Sequence, residues 1–145
     1  SLNDAYRSVA TGLVLGLTLL FWIEGIQHTA SIGEGAFIVS LSVLVVPIVG
    51  RIVFAEVIPL SFVFALVPAI VGLAFLTLDN NFSLEAGQWY FLATNLGFAL
   101  HLNLSSHFVS GISAALNTTI QLIVVAMVAM VAMVPRLRPT LWLAQ

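Results

Sequence analysis

The sequence predicts an all-α fold, a polytopic membrane bundle of five transmembrane helices. Three observations carry that expectation. Of the 145 residues, 61% are hydrophobic and only 7% charged, against about a quarter charged in ordinary soluble domains, so there is too little charge for a water-facing surface. Five apolar stretches, near 9–28, 36–56, 59–78, 88–110 and 118–134, approach the roughly 20 residues that a helix needs to cross a bilayer. Two of them hold an interior proline, Pro47 and Pro68. A soluble helix loses about 3 kcal/mol to such a proline, whereas a membrane helix tolerates it where neighbouring helices or ordered waters satisfy the freed carbonyl.

The same composition excludes several classes. There is no cysteine, so neither disulfides nor thiolate metal sites are available. Lysine is absent and the formal net charge is −2, which leaves no basic patch for nucleic acid. No HExxH, CxxC, GxSxG or Walker-type loop occurs. His101 and His107 point to different helix faces and the carboxylates are scattered, so no catalytic residue, metal or cofactor is expected. A membrane-embedded enzyme working through Glu24 and His28 is the weaker alternative. No charged n-region with a short apolar core precedes the first stretch, so no signal peptide is expected.

In chain order, residues 1–9 are polar, with Asp4 and Arg7, and read as a loop. The first span runs from Val9 to about Gln27. Its Gly12 and Gly16 stand in GxxxG spacing, which lets another helix approach closely. Trp22 lies near the far end, where interfacial aromatics belong. Glu24, Gln27 and His28 share a face with Leu17 and Leu20. An ionisable residue inside a membrane is expensive and by default functional; the competing reading is that Glu24 simply reaches the headgroups. Residues 28–35, with Gly33 and Gly35, read as a tight reversal.

The second span, Ala36–Glu56, is the one around which the chain is organised. At about 100° per residue, Ser40, Leu44, Pro47 and Arg51 share one face, while the others carry Ile, Leu, Val and Phe suited to lipid. Pro47 is the expected bend. Pro59 suits the first turn of a third helix, over 60–78, in which Pro68 and Gly72 predict a kink. Residues 78–88 are the most polar stretch and the expected boundary between two units.

The fourth span, about Trp89–Val109, is polar on two faces: Thr94, His101 and Ser105 on one, Asn95, Asn103 and Ser106 on the other. Such a helix belongs inside a bundle or beside water. Interhelical hydrogen bonds, worth about 0.6 kcal/mol each, are one role for these residues; a histidine can also exchange protons near neutral pH. Residues 110–119 read as a loop. The last span, about Ile120–Val134, sets Ala126, Ala129 and Ala132 each before a methionine, Met127, Met130 and Met133. Small residues and soft methionines suit helix packing. PRLRP, residues 135–139, ends it.

This order of features resembles the EamA-like domain, the repeat unit of the drug/metabolite transporter superfamily. Ile23–Ser31, IEGIQHTAS, stands where the family has a small-polar turn after a helix. Leu41–Ile48, LSVLVVPI, matches its proline motif, Phe54–Glu56, FAE, its glutamate-ended helix, and Gly72–Phe75, GLAF, a later glycine pattern. Gly87 onward looks like the opening helix of a second repeat. The resemblance covers most of residues 12–134; it departs in lacking a glycine before Glu56 and in the unusual Glu24 and His101. It implies ten helices in two inverted repeats, of which this chain would hold helices three to seven: residues 1–80 the last three helices of one repeat, 81–145 the first two of the next.

The resemblance also implies secondary transport or export of small metabolites by alternating access around a central cavity. The implied partners are a metabolite or amino-acid-like substrate, the lipid bilayer of the cell membrane, and the remaining helices or a homo-oligomer. On that reading Glu24, His28, Ser40, Asn95, His101 and Asn103 are pathway residues, Pro47 and Pro68 bends, and Gly12 and Gly16 packing positions. The alternative is a non-transporting scaffold or assembly subunit, with Gly12, Gly16 and the alanine row as contact surfaces. Arg7 and Arg51 fall at one end of the bundle, Arg136 and Arg138 at the other, so charge does not orient it. The resemblance puts Arg7, Arg51 and Glu56 in the cytoplasm, and Glu34, Asp79 and Glu85 outside.

Overall fold

A computed structural model describes residues 2–30, 32–78, 86–109 and 111–142. They form α1 (Leu2–Gln27), α2 (Ile32–Ser40), α3 (Ser42–Phe54), α4 (Leu60–Leu78), α5 (Ala86–Phe108) and α6 (Ala114–Trp142), with no strand among the described residues. Among the described residues, three segments are long and apolar enough to cross a membrane: Leu2–Gln27, Ile32–Phe54 with α2 and α3 taken together, and Ala114–Pro135. The architecture is compatible with an integral membrane protein. α5 is long enough at 23 residues, but its amides, histidines and hydroxyls keep it out of that apolar set.

α5 is the central helix. α1 packs on one side of it and α2 and α3 on the other; α6 packs against α1, reaching α5 through the Gln121 side chain, and α4 touches mainly α3. α5 runs antiparallel to α1, since Thr11 meets His101 and Gly25 meets Phe91. It runs parallel to α2–α3, since Asn95 meets Ile38 and Asn103 meets Val46. Its two polar faces, legible in the sequence, therefore belong to two different neighbours. Gly12 and Gly16 face α6. A Cβ at Gly12 would lie 3.0 Å from the Gln121 Cα, and one at Gly16 would lie 3.1 Å from the Val128 Cβ, so these two helices touch through missing side chains. Phe91 is fully buried and sits edge-on to Trp22, 5.3 Å between ring centroids.

Several expected boundaries are corrected. α1 starts at Leu2, so residues 2–9 are helical rather than a loop; Asp4 in the first turn complements the helix dipole, and the Ser8 hydroxyl folds back onto the Asp4 carbonyl at 3.0 Å. The reversal is shorter than 28–35, because helix resumes at Ile32. Gly35 lies inside α2 rather than in a turn, and a Cβ there would run into the Phe91 ring; closeness, not turn geometry, needs that glycine. α6 starts at Ala114, where the Ser113 hydroxyl accepts from the Leu116 N–H at 3.3 Å, an N-terminal cap. It continues through Pro135 and Pro139 to Trp142 instead of ending at Val134. Of the expected linker, residues 79–85, with Asp79 and Glu85, lie outside the described residues, and Ala86–Gln88 already belong to α5.

The span expected over Ala36–Glu56 is two helices, and its interruption is at Leu41 rather than Pro47. The Ser40 hydroxyl donates to the Phe37 carbonyl at 2.7 Å, competing with the backbone ladder as serine does in helices. The Leu44 N–H then closes a tight turn onto the Leu41 carbonyl at 2.9 Å. Helical assignment runs on through Pro47 and, in α4, through Pro68. α3 ends at Phe54. Ala55 adopts the left-handed conformation at φ 56°, and the Glu56 N–H reaches back to the Gly50 carbonyl at 3.3 Å.

Candidate functional site

Interior and surface are chemically inverted relative to a soluble protein. Among the described residues the buried hydrophobic side chains are Phe91, Ala99 and Val124, while Ser8, Thr11, Thr18, Gln88, Thr94, Asn95, His101, Asn103 and Gln121 are buried polar groups. In lipid this is the stable arrangement, because a polar side chain facing hydrocarbon lacks partners that the interior supplies.

On the α1/α6 side of α5, the His101 ring sits 3.1 Å from the Thr11 carbonyl through Nδ1. A carbonyl only accepts, so Nδ1 carries the hydrogen. Beside it, Gln121 Nε2 lies 2.9 Å from Thr11 Oγ1, 3.2 Å from Asn117 Oδ1 and 3.3 Å from Ser105 Oγ. Gln121 thus joins α1, α5 and α6. Sequence reasoning did not single out this position, because one glutamine within the apolar run IQLIVV is a weak signal.

On the α2/α3 side, two amides clamp backbone. Asn95 Nδ2 donates to the Ile38 carbonyl at 2.6 Å, just before the Leu41 interruption. Asn103 Nδ2 donates to the Val46 carbonyl at 2.9 Å and to the Ala99 carbonyl at 2.8 Å. The Asn95 Oδ1 is buried without a hydrogen-bond partner.

Between α1, α2–α3 and α5 lies an open cleft of about 490 Å³, lined among others by Leu15, Ser40, Ser42, Val43, Phe98 and His101. It sits at the helix interruption. Pro47 has no N–H to offer the carbonyl four residues earlier, that of Val43, a residue that lines this cleft. Of the expected pathway residues, Ser40 and His101 come together here. Asn95 and Asn103 hold the wall from behind.

Glu24 and His28 do not join them. The His28 Nδ1 lies 2.8 Å from the Glu24 carbonyl and 3.9 Å from the Glu24 carboxylate, at the end where the Gly87 N–H binds the His28 carbonyl at 3.1 Å. The His28 ring lies against Tyr90, 5.5 Å between centroids. Tyr90 is about three turns of α5, roughly 16 Å, from His101. At the same end, Gln88 Nε2 donates to Glu34 Oε2 at 3.1 Å.

The opposite end carries a second polar set. His107 Nε2 lies 3.1 Å from Glu56 Oε1, and its ring stacks on Phe54 at 4.0 Å. Arg7 reaches the Phe108 carbonyl at 3.5 Å, and Arg51 reaches the Glu56 carbonyl at 3.3 Å. Arg7, Arg51 and Glu56 therefore share one end of the bundle, with Glu24, His28 and Glu34 at the other. No family model, curated protein or solved structure matches this chain.

Proposed function

We propose that this chain is a five-span part of a ten-helix secondary transporter or exporter of small metabolites, working in the cell membrane by alternating access. The observation that carries the reading is the cleft beside the Leu41 interruption, with Ser40 and His101 on its walls. Broken membrane helices with unsatisfied backbone groups are where transporters bind substrate. A scaffold has less use for such a cleft. The surfaces a scaffold would offer are partly spent, since Gly12 and Gly16 already face α6.

On this reading Ser40 and His101 touch substrate, and Asn95 and Asn103 set the geometry of the interrupted helix. Glu24 and His28 form an outer vestibule. The two inverted repeats would meet between α4 and α5. Arg7, Arg51 and Glu56 face the cytoplasm.

The test is solute flux in vesicles reconstituted with the complete protein. Flux above empty vesicles that falls at least tenfold in His101→Ala, with unchanged folding, supports the reading; no flux of any metabolite pool component, or equal loss of flux and folding, overturns it. Orientation is read separately in intact cells. Cysteines at Asn80 and Val57 should differ, the first reacting with an impermeant thiol reagent and the second not. The chain has no native cysteine to interfere.

A further inference from the structure

The cleft has a chemistry of its own, and it narrows what enters. Its walls are mainly apolar, through Leu15, Val43 and Phe98, and among the described residues no carboxylate or guanidinium lines it. A net charge would enter without a counter-charge, which is costly in a low-dielectric site. Its volume of about 490 Å³ falls within the range of small-molecule sites.

The polar residues on the walls, His101, Ser40 and Ser42, are a specific set. His101 spends its Nδ1 hydrogen on the Thr11 carbonyl. In the neutral ring Nε2 is then left as a lone-pair acceptor, and among the described residues it has no hydrogen-bond partner. The Ser40 hydroxyl hydrogen is committed to the Phe37 carbonyl, so this oxygen too is left as an acceptor. Ser42 is the one wall hydroxyl with no hydrogen bond among the described residues, free to donate or accept. A group that both donates and accepts matches this set best, and an alcohol or phenol O–H does both. An ether only accepts, and a carboxylate would face the His101 and Ser40 lone pairs.

Building on the transport reading of this cleft, we infer that it takes an uncharged, mainly apolar solute bearing a hydroxyl, whose O–H donates to His101 Nε2 while its body lies against Phe98 and Leu15. Ser42 supplies the donor to the solute oxygen. Asn95 and Asn103 do not touch the solute.

The test uses the complete protein in lipid nanodiscs with two probes, 4-propylphenol and its methyl ether, 4-propylanisole, which differ in the O–H. Binding is read by equilibrium titration and by the ¹⁵N signal of labelled histidine imidazoles. The signal of His101 is assigned by its loss in His101→Asn, a variant whose amide N–H can still serve the Thr11 carbonyl while Nε2 is gone. The phenol is expected to bind about three- to tenfold more tightly than the ether, the span of one net hydrogen bond, and to move the His101 Nε2 signal, which the ether leaves in place. His101→Asn should bring the phenol down to the affinity of the ether. Equal binding of both probes with no Nε2 response overturns the inference and marks an apolar groove filled by lipid chains; absence of saturable binding by either overturns it as well. Phenol-selective binding in a protein without flux leaves the ligand class standing and removes the transport reading. Flux of other solutes with no discrimination between the probes does the reverse.

Discussion

α4 and α5 are neighbours in sequence and opposites in the fold. α5 holds Gln88, Thr94, Asn95, His101 and Asn103 in the buried interior, whereas α4 leaves Leu60, Val63, Phe64, Val67, Ile70 and Phe75 exposed, with Phe64 and Phe75 each 72% exposed. In water the assignment would be the other way round. Against hydrocarbon there is no hydrophobic drive to hide a leucine, while a polar group gains partners only inside. Polarity selects the centre, and small residues and amides then bind that centre to its neighbours.

The sharpest perturbation is to fill the close contact between α1, which packs on α5, and α6. Gly12→Ile would drive a side chain into the Gln121 backbone, 3.0 Å from where its Cβ would stand, and backbone cannot step aside. A loss of about 2–3 kcal/mol is expected, read as a lowered unfolding midpoint in mixed micelles; an unchanged midpoint would mean that α1 and α6 do not touch there.

Next comes Asn103→Leu. It removes both amide bonds to backbone carbonyls and should destabilise by about 1–2 kcal/mol, near the upper end for polar contacts in membranes. The same measurement on Ser61→Leu in α4 should show little change. If the two match, interior polarity is not what distinguishes these helices.

A third change should stabilise. Ala55 stands in the left-handed region at φ 56°, where glycine lacks the steric penalty of roughly 1 kcal/mol. Ala55→Gly should raise the unfolding midpoint by a corresponding amount. The smallest effect is expected on α4: Phe64→Leu should stay within about 0.5 kcal/mol, and a larger loss would reveal that this face is covered by protein rather than lipid.

Much of this was legible beforehand. The low charge and the apolar run lengths gave helices, and the amides of α5 gave its interior position. GxxxG at Gly12 and Gly16 announced a close helix contact, though not that α6 would supply it. The candidate site was legible in part. Ser40 and His101 could be singled out as unusual, and both line the same cleft. Glu24 and His28 looked equally suitable and stand at another depth. Gln121 is hard to single out, because one amide in a long apolar helix reads weakly. Ser42 carries no linear signal, since a serine gains meaning only from what faces it.

The sequence by itself determined the helical state and the division between polar and apolar helices, because both follow from local composition and the solvent it tolerates. Only the tertiary structure decided where the second span breaks, which carbonyls Asn95 and Asn103 hold, and that a cleft opens beside His101. Proline announces a missing N–H wherever it occurs, and so marked Pro47. The actual interruption at Leu41 depends on the Ser40 back-bond and on an Asn95 that is 57 residues away from Ile38. A hydrogen bond between distant residues is fixed by how helices pack against one another, and no local pattern encodes that packing.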